Sequence, residues 1–207
     1  MSRVLPALLL GLAIVGCSRS SDSTAPAPNP KISLNSKKQP GNGDTVPKAN
    51  LDPATAAAQE QAIAFVTGMK GKVRQADGIV VEVNLSFQPV TDSQLKELAQ
   101  LPHLTNLNLG YTQVTDSGLK ELAPLKNLTT LSLRGTKVTG VGFRSLTKLK
   151  NFSTLDLRAT PVNDAGLREI GGLKSLTSLD LVAIMGSIEA VDDLARALPR
   201  CKIEKIQ

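Results

Sequence analysis

Two aspartates and two arginines recur at one fixed spacing in the C-terminal half of the chain. Asp156 and Asp180 are 24 residues apart, as are Arg134 and Arg158. On neighbouring strands the two carboxylates would lie about 4.8 Å apart, close enough for acid/base work or for binding a cation. The sequence places no nucleophile, cleft or further ligands beside them. It therefore favours a surface that binds a polar partner, and a merely solvated face, its like charges offset by the two arginines, is the alternative.

Sequence motifs for other chemistry are missing from the chain. It contains no G-x-S-x-G, H-E-x-x-H, C-x-x-C or phosphate-binding loop. His103 is the single histidine and lies in a polar turn, so it has no partner for nucleophilic or metal catalysis. Cys201 stands among apolar residues and is predicted to be a small buried side chain. The sequence predicts a protein that is not an enzyme and that holds no cofactor and no metal.

The elements that would position the charged residues repeat with a period of 24. Asp156 and Arg158 flank Leu157, one position in a column of leucines. That column consists of Leu85, Leu109, Leu133, Leu157 and Leu181, and further apolar columns keep the same step. Within "LTNLNL", leucines alternate with asparagines, which is typical of a strand with one buried face. The charged residues are thus predicted on the polar face of a sheet.

The pattern L-x-x-L-x-L-x-x-T followed by "VTDxGLxxL" resembles the leucine-rich repeat, most closely its ribonuclease-inhibitor-like and cysteine-containing subclass. The resemblance covers residues 79 to 206. It implies an α/β fold: a right-handed solenoid of about five repeats, with a parallel concave sheet and helices on the convex side. A protein-binding role is what the resemblance implies for function, but repeat scaffolds share a fold without sharing a ligand.

Polar residues inside each repeat have predictable structural roles. Thr112, Thr136 and Thr160 lie where the chain leaves the sheet, and their hydroxyls are expected to satisfy backbone groups in the turn. Aspartates at the start of the next segment are expected to be helix N-caps. They are Asp92, Asp116 and Asp164, whereas the third repeat has Gly140, a weaker cap.

The ends of the array depart from the repeat pattern, as a capped solenoid requires. Before it, Asp52 suits an N-cap, Pro53 a first helical turn and Gly68 a helix end. A hairpin is expected to turn at Asp77-Gly78. A closing helix is predicted over residues 190–198 and a last strand over 201–206. The predicted domains are a cap at 51–78 and a repeat domain with a C-terminal cap at 79–207.

The first 50 residues predict the compartment. An apolar run from Val4 to Gly16 has the length of a signal-peptide core and is too short to cross a bilayer. "IVGC" at 14–17 resembles the bacterial lipobox, which implies a signal peptide at 1–16 and lipidation of Cys17. Ser18 after the cysteine leans, by the same resemblance, towards the outer membrane. Residues 17–50 are rich in Ser and Pro and are predicted to be a disordered tether.

A non-enzymatic envelope module that binds through its concave face is the favoured function. The net charge of +6 suits an anionic envelope polymer or a protein partner, and no nucleic acid is expected. A structural component acting through convex or edge surfaces is the alternative, and the chain is expected to be a monomer. The tentative binding residues are Asn84, Asn106, Asn108, Tyr111, Arg134, Asp156, Arg158 and Asp180, with Phe87 as a further anchor.

Overall fold

The structure is a computed structural model that describes residues 52–205. The predicted signal peptide, the lipidated Cys17 and the tether lie outside the described residues, as do residues 206–207. No helix within 52–205 combines the length and apolar character needed to cross a membrane.

Seven strands form one sheet whose spatial order follows the chain. The strands are β1 Lys72–Ala76, β2 Ile79–Asn84, β3 Asn106–Asn108, β4 Thr130–Ser132, β5 Thr154–Asp156, β6 Ser178–Asp180 and β7 Lys202–Glu204. The first two strands are antiparallel, and every later pair is parallel. Paired residues from β2 onward differ by 24 positions, as Leu107 and Leu131 do. The predicted solenoid with a parallel sheet is confirmed.

Short helical segments line the side opposite the sheet. The α-helices are α1 Pro53–Gly68, α2 Asp116–Leu119, α3 Asp164–Ile170 and α4 Ile188–Ala197, and three 3-10 helices cover Asp92–Glu97, Lys120–Leu122 and Val141–Leu146. The convex side is therefore built largely from single turns. Because 24 residues must form both a strand and its return path, little length is left for a helix.

The apolar columns form one core between the strands and the helical segments. The predicted spine leucines at 85, 109, 133, 157 and 181 are at most 2% exposed. Phe143 and Phe152 replace leucines of their columns and are also fully buried. No coil could bury its apolar face alone, so the core exists only because neighbouring coils stack.

The threonine column behaves as predicted. The hydroxyls of Thr112, Thr136 and Thr160 donate to the carbonyl oxygens of Leu109, Leu133 and Leu157 at 2.6–2.7 Å. All three threonines are at most 4% exposed. Each hydroxyl satisfies a carbonyl that the turn would otherwise leave buried without a partner.

The predicted role of the aspartates as N-caps is wrong. Thr91, Thr115, Asn163 and Ser187 occupy the N-cap positions. Each aspartate lies one residue later and points to the next coil. Asp116 accepts four hydrogen bonds there: from the Thr139 amide and hydroxyl at 2.8 Å, and from the amides of Gly140 and Gly142 at 2.9 Å. The aspartates therefore link coils, each accepting from an amide of the neighbouring coil.

Gly140, in place of an aspartate, makes a different junction. Its φ of +103° is in the left-handed region, and a Cβ there would lie 2.6 Å from the Gly166 Cα. Two glycines therefore let the third and fourth coils approach through their backbones. The amide of Asn163 donates to the Thr139 carbonyl across this junction at 3.3 Å.

The N-terminal cap has the predicted elements. Asp52 caps α1, accepting from the Thr55 amide at 2.9 Å, and Asp77 and Gly78 turn the hairpin with φ values of +50° and +78°. Gln59 ties α1 to β2, donating to the Gly78 carbonyl at 2.7 Å and accepting from the Val80 amide at 2.8 Å. At the other end, the closing helix begins two residues earlier than predicted, and β7 is shorter.

Candidate binding surface on the concave face

The concave face consists of the outward residues of six parallel strands. In each of the strands β3 to β6 the central leucine is buried and its two neighbours are half-exposed. The predicted columns are therefore correctly placed, since side chains alternate across a sheet. Asn106 lies in the first column, between Glu82 and Thr130.

Asparagines and aspartates of the second column end their strands. The side-chain oxygens of Asn84, Asn108, Asp156 and Asp180 each accept from the amide two residues later, at 2.9–3.2 Å. Such turns reproduce a backbone turn with a side chain. Four of the predicted binding residues thus have a structural role, and each retains only its other polar atoms for a partner.

Arg158 neutralises the two predicted carboxylates. Its Nη2 donates to Asp156 at 2.8 Å, and its Nε lies 3.2 Å from Asp180. Arg134, which was predicted to share this role, makes neither contact. Its guanidinium lies over an aromatic ring instead.

The two carboxylates differ in proton affinity. Burial works to raise the pKa of Asp156, but hydrogen bonds from Arg158 and from the Ser132 hydroxyl outweigh it and hold that pKa below its ordinary value. Burial raises the pKa of Asp180, helped by the charges of Asp156 and Glu204. The Arg158 guanidinium lies against both carboxylates, where a bound cation or a reacting group would otherwise lie. Asp156, Asp180 and Arg158 therefore form an internal ion cluster.

Phe87, Tyr111 and Arg134 form a stack beside the sheet, which we call the aromatic step. The two rings lie 4.6 Å apart between centroids with an angle of 11° between their planes. The Arg134 guanidinium carbon is 5.5 Å from the centroid of Tyr111, within the range of a cation–π interaction. Phe87 is 71% exposed and Tyr111 is 40% exposed. The aromatic step joins apolar area, a hydroxyl and a cation at one point.

Left-handed backbone positions the aromatic step. One residue per coil has a φ between +53° and +65°: Phe87, Tyr111, Gly135, Ala159 and Ala183. A Cβ at Gly135 would lie 2.5 Å from Cδ1 of Tyr111, so the glycine makes room for the ring. This column was not predicted from the sequence. The sequence does contain a sign of it, because Gly135 lies 24 and 48 residues after Tyr111 and Phe87 and a glycine there indicates a positive φ.

An open groove of about 210 Å³ connects the aromatic step with the ion cluster. Its lining consists of Ser86, Phe87, Asn108, Gly110, Tyr111, Ser132, Arg134, Asp156 and Arg158. Five predicted binding residues are among them. Asn84, Asn106 and Asp180 lie outside the groove lining, because the groove follows the strand ends of the first four coils.

The remaining candidates for chemistry lie apart from the groove. His103 is exposed in its turn, which precedes β3 and so lies at the strand ends opposite to the groove. Cys201 is only partly buried, and that burial raises the pKa of its thiol, which disfavours a reactive thiolate. Across residues 52–205, no three His, Cys, Asp or Glu side chains converge on a possible metal site.

Comparison with known proteins supports the repeat assignment. The family described as "Leucine Rich repeat" matches residues 100–123, one full period of the array. No curated protein matches the sequence.

Three solved structures resemble the chain. A leucine-rich-repeat protein of Leptospira interrogans is 29% identical over 53% of this chain, with a TM-score of 0.44, and this chain spans 27% of that protein. The tropomodulin C-terminal domain of Caenorhabditis elegans is 19% identical, covering 68% of this chain and 91% of that domain, with a TM-score of 0.47. The leucine-rich-repeat ectodomain of the receptor kinase SOBIR1 from Arabidopsis thaliana is 16% identical, covering 72% and 92%, with a TM-score of 0.42.

The matched repeat, the 24-residue strand register and the stacked core agree with one another. Residues 79–205 form a solenoid with the leucine-rich-repeat fold, and residues 100–123 match the leucine-rich-repeat family.

Proposed function

We propose that this protein is a non-enzymatic recognition module that binds a protein partner through its concave groove, with the aromatic step as the anchor. The observation that carries the proposal is the exposed stack of Phe87 and Tyr111. The chain has only four phenylalanines, one tyrosine and no tryptophan. Two of its five aromatic residues are thus held together at one exposed place.

The backbone supports the same reading. Bulky residues rarely adopt a positive φ, which costs on the order of 1 kcal/mol each, and Phe87 and Tyr111 both adopt it. The coil geometry sets this φ, since every coil has one such residue, but glycine would adopt it without that cost, so two rings at these positions favour a role beyond folding. Tyrosine and arginine are also the residues most often found at the energetic centres of protein interfaces.

Photocrosslinking in intact cells tests the groove. A photoreactive phenylalanine analogue replaces Phe87 in one variant and Lys120, exposed on the convex side, in the other. We expect position 87 to give a discrete crosslinked protein that position 120 does not give. Equal patterns from both positions would reject the concave groove, and products from position 120 alone would favour a structural role of the convex side.

Side-chain variants then test the anchor. Tyr111→Ala and Arg134→Ala should each abolish the crosslink made from position 87, whereas Arg144→Ala, which removes the same charge from the convex side, should keep it. A crosslink that survives loss of both ring and guanidinium would show that the aromatic step is not the anchor. Recovery of an anionic polymer in place of a protein would refute the protein partner.

We further propose that the module is held at the cell envelope by a lipidated Cys17, at the outer membrane. The support is the run of apolar residues 4–16 followed by "IVGC". Several acyl chains on one cysteine would anchor it durably, since each buried CH₂ contributes about 0.8 kcal/mol. Metabolic labelling with an alkynyl fatty acid should label the wild type and Cys201→Ala but not Cys17→Ala. Label on Cys17→Ala would refute the anchor.

A further inference from the structure

The two edges of the sheet are protected to different degrees. At the N-terminal edge, β1 carries Lys72 and Arg74, and its pairing with β2 is irregular at Arg74/Gln75. Both features discourage another strand from pairing there. At the C-terminal edge, β7 is regular, and its outward positions carry one cation and one anion, Lys202 and Glu204.

Among residues 52–205, the backbone of β7 leaves one position without a pairing strand. The Lys202 amide donates to the Thr177 carbonyl, and the Glu204 carbonyl accepts from the Leu181 amide, both at 2.8 Å. Residues 202 and 204 therefore direct their backbone groups to β6. Because successive residues of a strand direct these groups to opposite sides, Ile203 presents its N–H and C=O at the open edge.

We propose that a second copy of this chain pairs with β7, antiparallel and centred on Ile203. Two Ile203 residues would exchange both N–H to O=C bonds, as a hydrogen-bonded antiparallel pair does. The pairing sets Lys202 opposite Glu204 of the second copy, and Glu204 opposite its Lys202. The short sequence Lys202-Ile203-Glu204 is thus its own complement under a twofold axis.

The surface beside β7 is apolar and exposed to solvent. An apolar opening of about 490 Å³ beside Lys205 is lined by Leu181, Ala183, Ile184, Gly186, Ile188 and Val191. Met185 and Ile188 next to it are 76% and 58% exposed. In the antiparallel arrangement this opening faces the chain that enters β7 of the second copy, residues 199–201. The paired sheets would form one continuous concave surface carrying two grooves.

Charge variants of β7 test the pairing. The mass of the full chain is measured by light scattering in a mild detergent, with the detergent contribution subtracted. The wild type should be a dimer, in contrast to the monomer that the sequence favoured. Lys202→Glu and Glu204→Lys each set like charges opposite one another twice, so each should raise the dimer dissociation constant roughly tenfold or more.

Restored complementarity gives the decisive outcome. An equimolar mixture of the Lys202→Glu and Glu204→Lys chains should dimerise again, and so should the chain carrying both substitutions. Arg196→Glu, which reverses the charge in an ion pair with Asp193 on α4, should leave the dimer unchanged. A wild type that stays monomeric, a mixture that stays monomeric, or open chains of copies would each overturn the proposal. At a protein concentration low enough for the wild type to be monomeric, the single variants should have the wild-type melting temperature, because the Lys202–Glu204 pair is exposed.

Discussion

Charged residues at the junctions between coils are fully hydrogen-bonded, whereas some of those in the concave groove are left available to a partner. At a junction, the carboxylate of Asp116 is saturated by four donors from the next coil. In the groove, Arg134 forms no salt bridge within residues 52–205, and the neighbouring rings face solvent. Groups whose hydrogen bonds are all made within the fold hold the solenoid together. Groups without such partners, such as the Arg134 guanidinium, remain available to bind another molecule. Substitutions should therefore separate stability from binding.

The largest effect on stability is expected at a junction. Asp116→Ala leaves backbone amides of the next coil without acceptors, which should lower the free energy of unfolding by about 3 kcal/mol. Urea denaturation measures the loss. Asp193→Ala, on the exposed side of α4, removes a carboxylate that serves no junction and should leave stability unchanged. Equal effects of the two substitutions would contradict the linking role of Asp116.

Gly135→Ala should cause the next largest loss of stability, and it should also disturb the aromatic step. A side chain at a φ of +65° costs about 1–2 kcal/mol, and the new Cβ would displace the Tyr111 ring. Tyr111 is the single tyrosine in a chain without tryptophan, so its fluorescence reports the displacement directly. Gly68→Ala, where a Cβ would meet nothing within 4 Å, is the control and should change neither stability nor fluorescence.

Asp156→Asn should cost about 1 kcal/mol at pH 7, because Arg158 loses its charged partner. The folded pKa of Asp156 lies below the ordinary 3.8, so its stabilising contribution is present above that pH and is lost as pH falls through the folded pKa. The difference in unfolding free energy between wild type and variant should thus shrink below about pH 4. A constant difference down to pH 2 would show that the ion pair is not its source.

Asp180→Asn should have the smallest effect and the opposite sign. The folded pKa of Asp180 is raised, so its contribution to stability is present below pH 3.8 and is lost as pH rises through the folded pKa. At pH 7 the charge is a cost, and the substitution should stabilise the fold by no more than about 0.5 kcal/mol, since solvent screens the site. Thermal unfolding of Asp156→Asn and Asp180→Asn in parallel gives the comparison, and destabilisation by both would refute it.

The sequence predicted what depends on periodicity. The buried leucines, the threonine column and the strand register all follow from a fixed 24-residue step. Binding at Asn84, Asn108, Asp156 and Asp180 was predicted from their outward positions on the strands and their polar side chains. Their bonds to the backbone are an additional role that this pattern does not reveal.

What the sequence missed depends on distances between coils. Asp116 is of a residue type that favours N-caps, but Thr115 holds that position, and the proximity of Thr139 makes Asp116 a link to the next coil. Arg134 was paired with carboxylates by its column, but its guanidinium lies over the ring of Tyr111. The predicted lipidation, tether and binding roles remain predictions.

The fixed register also bears on how the chain folds. Hydrogen bonds between coils join residues only 23 to 26 positions apart, as from Asp92 to Thr115 and from Lys126 to Asn151. A coil can therefore complete its bonds as soon as the next two dozen residues are available. Because each unit contacts only its neighbours, folding can begin at any stable pair of units and propagate from there. Truncation after a whole unit should leave the preceding units formed, so that the domain would lose structure in steps of one coil rather than all at once.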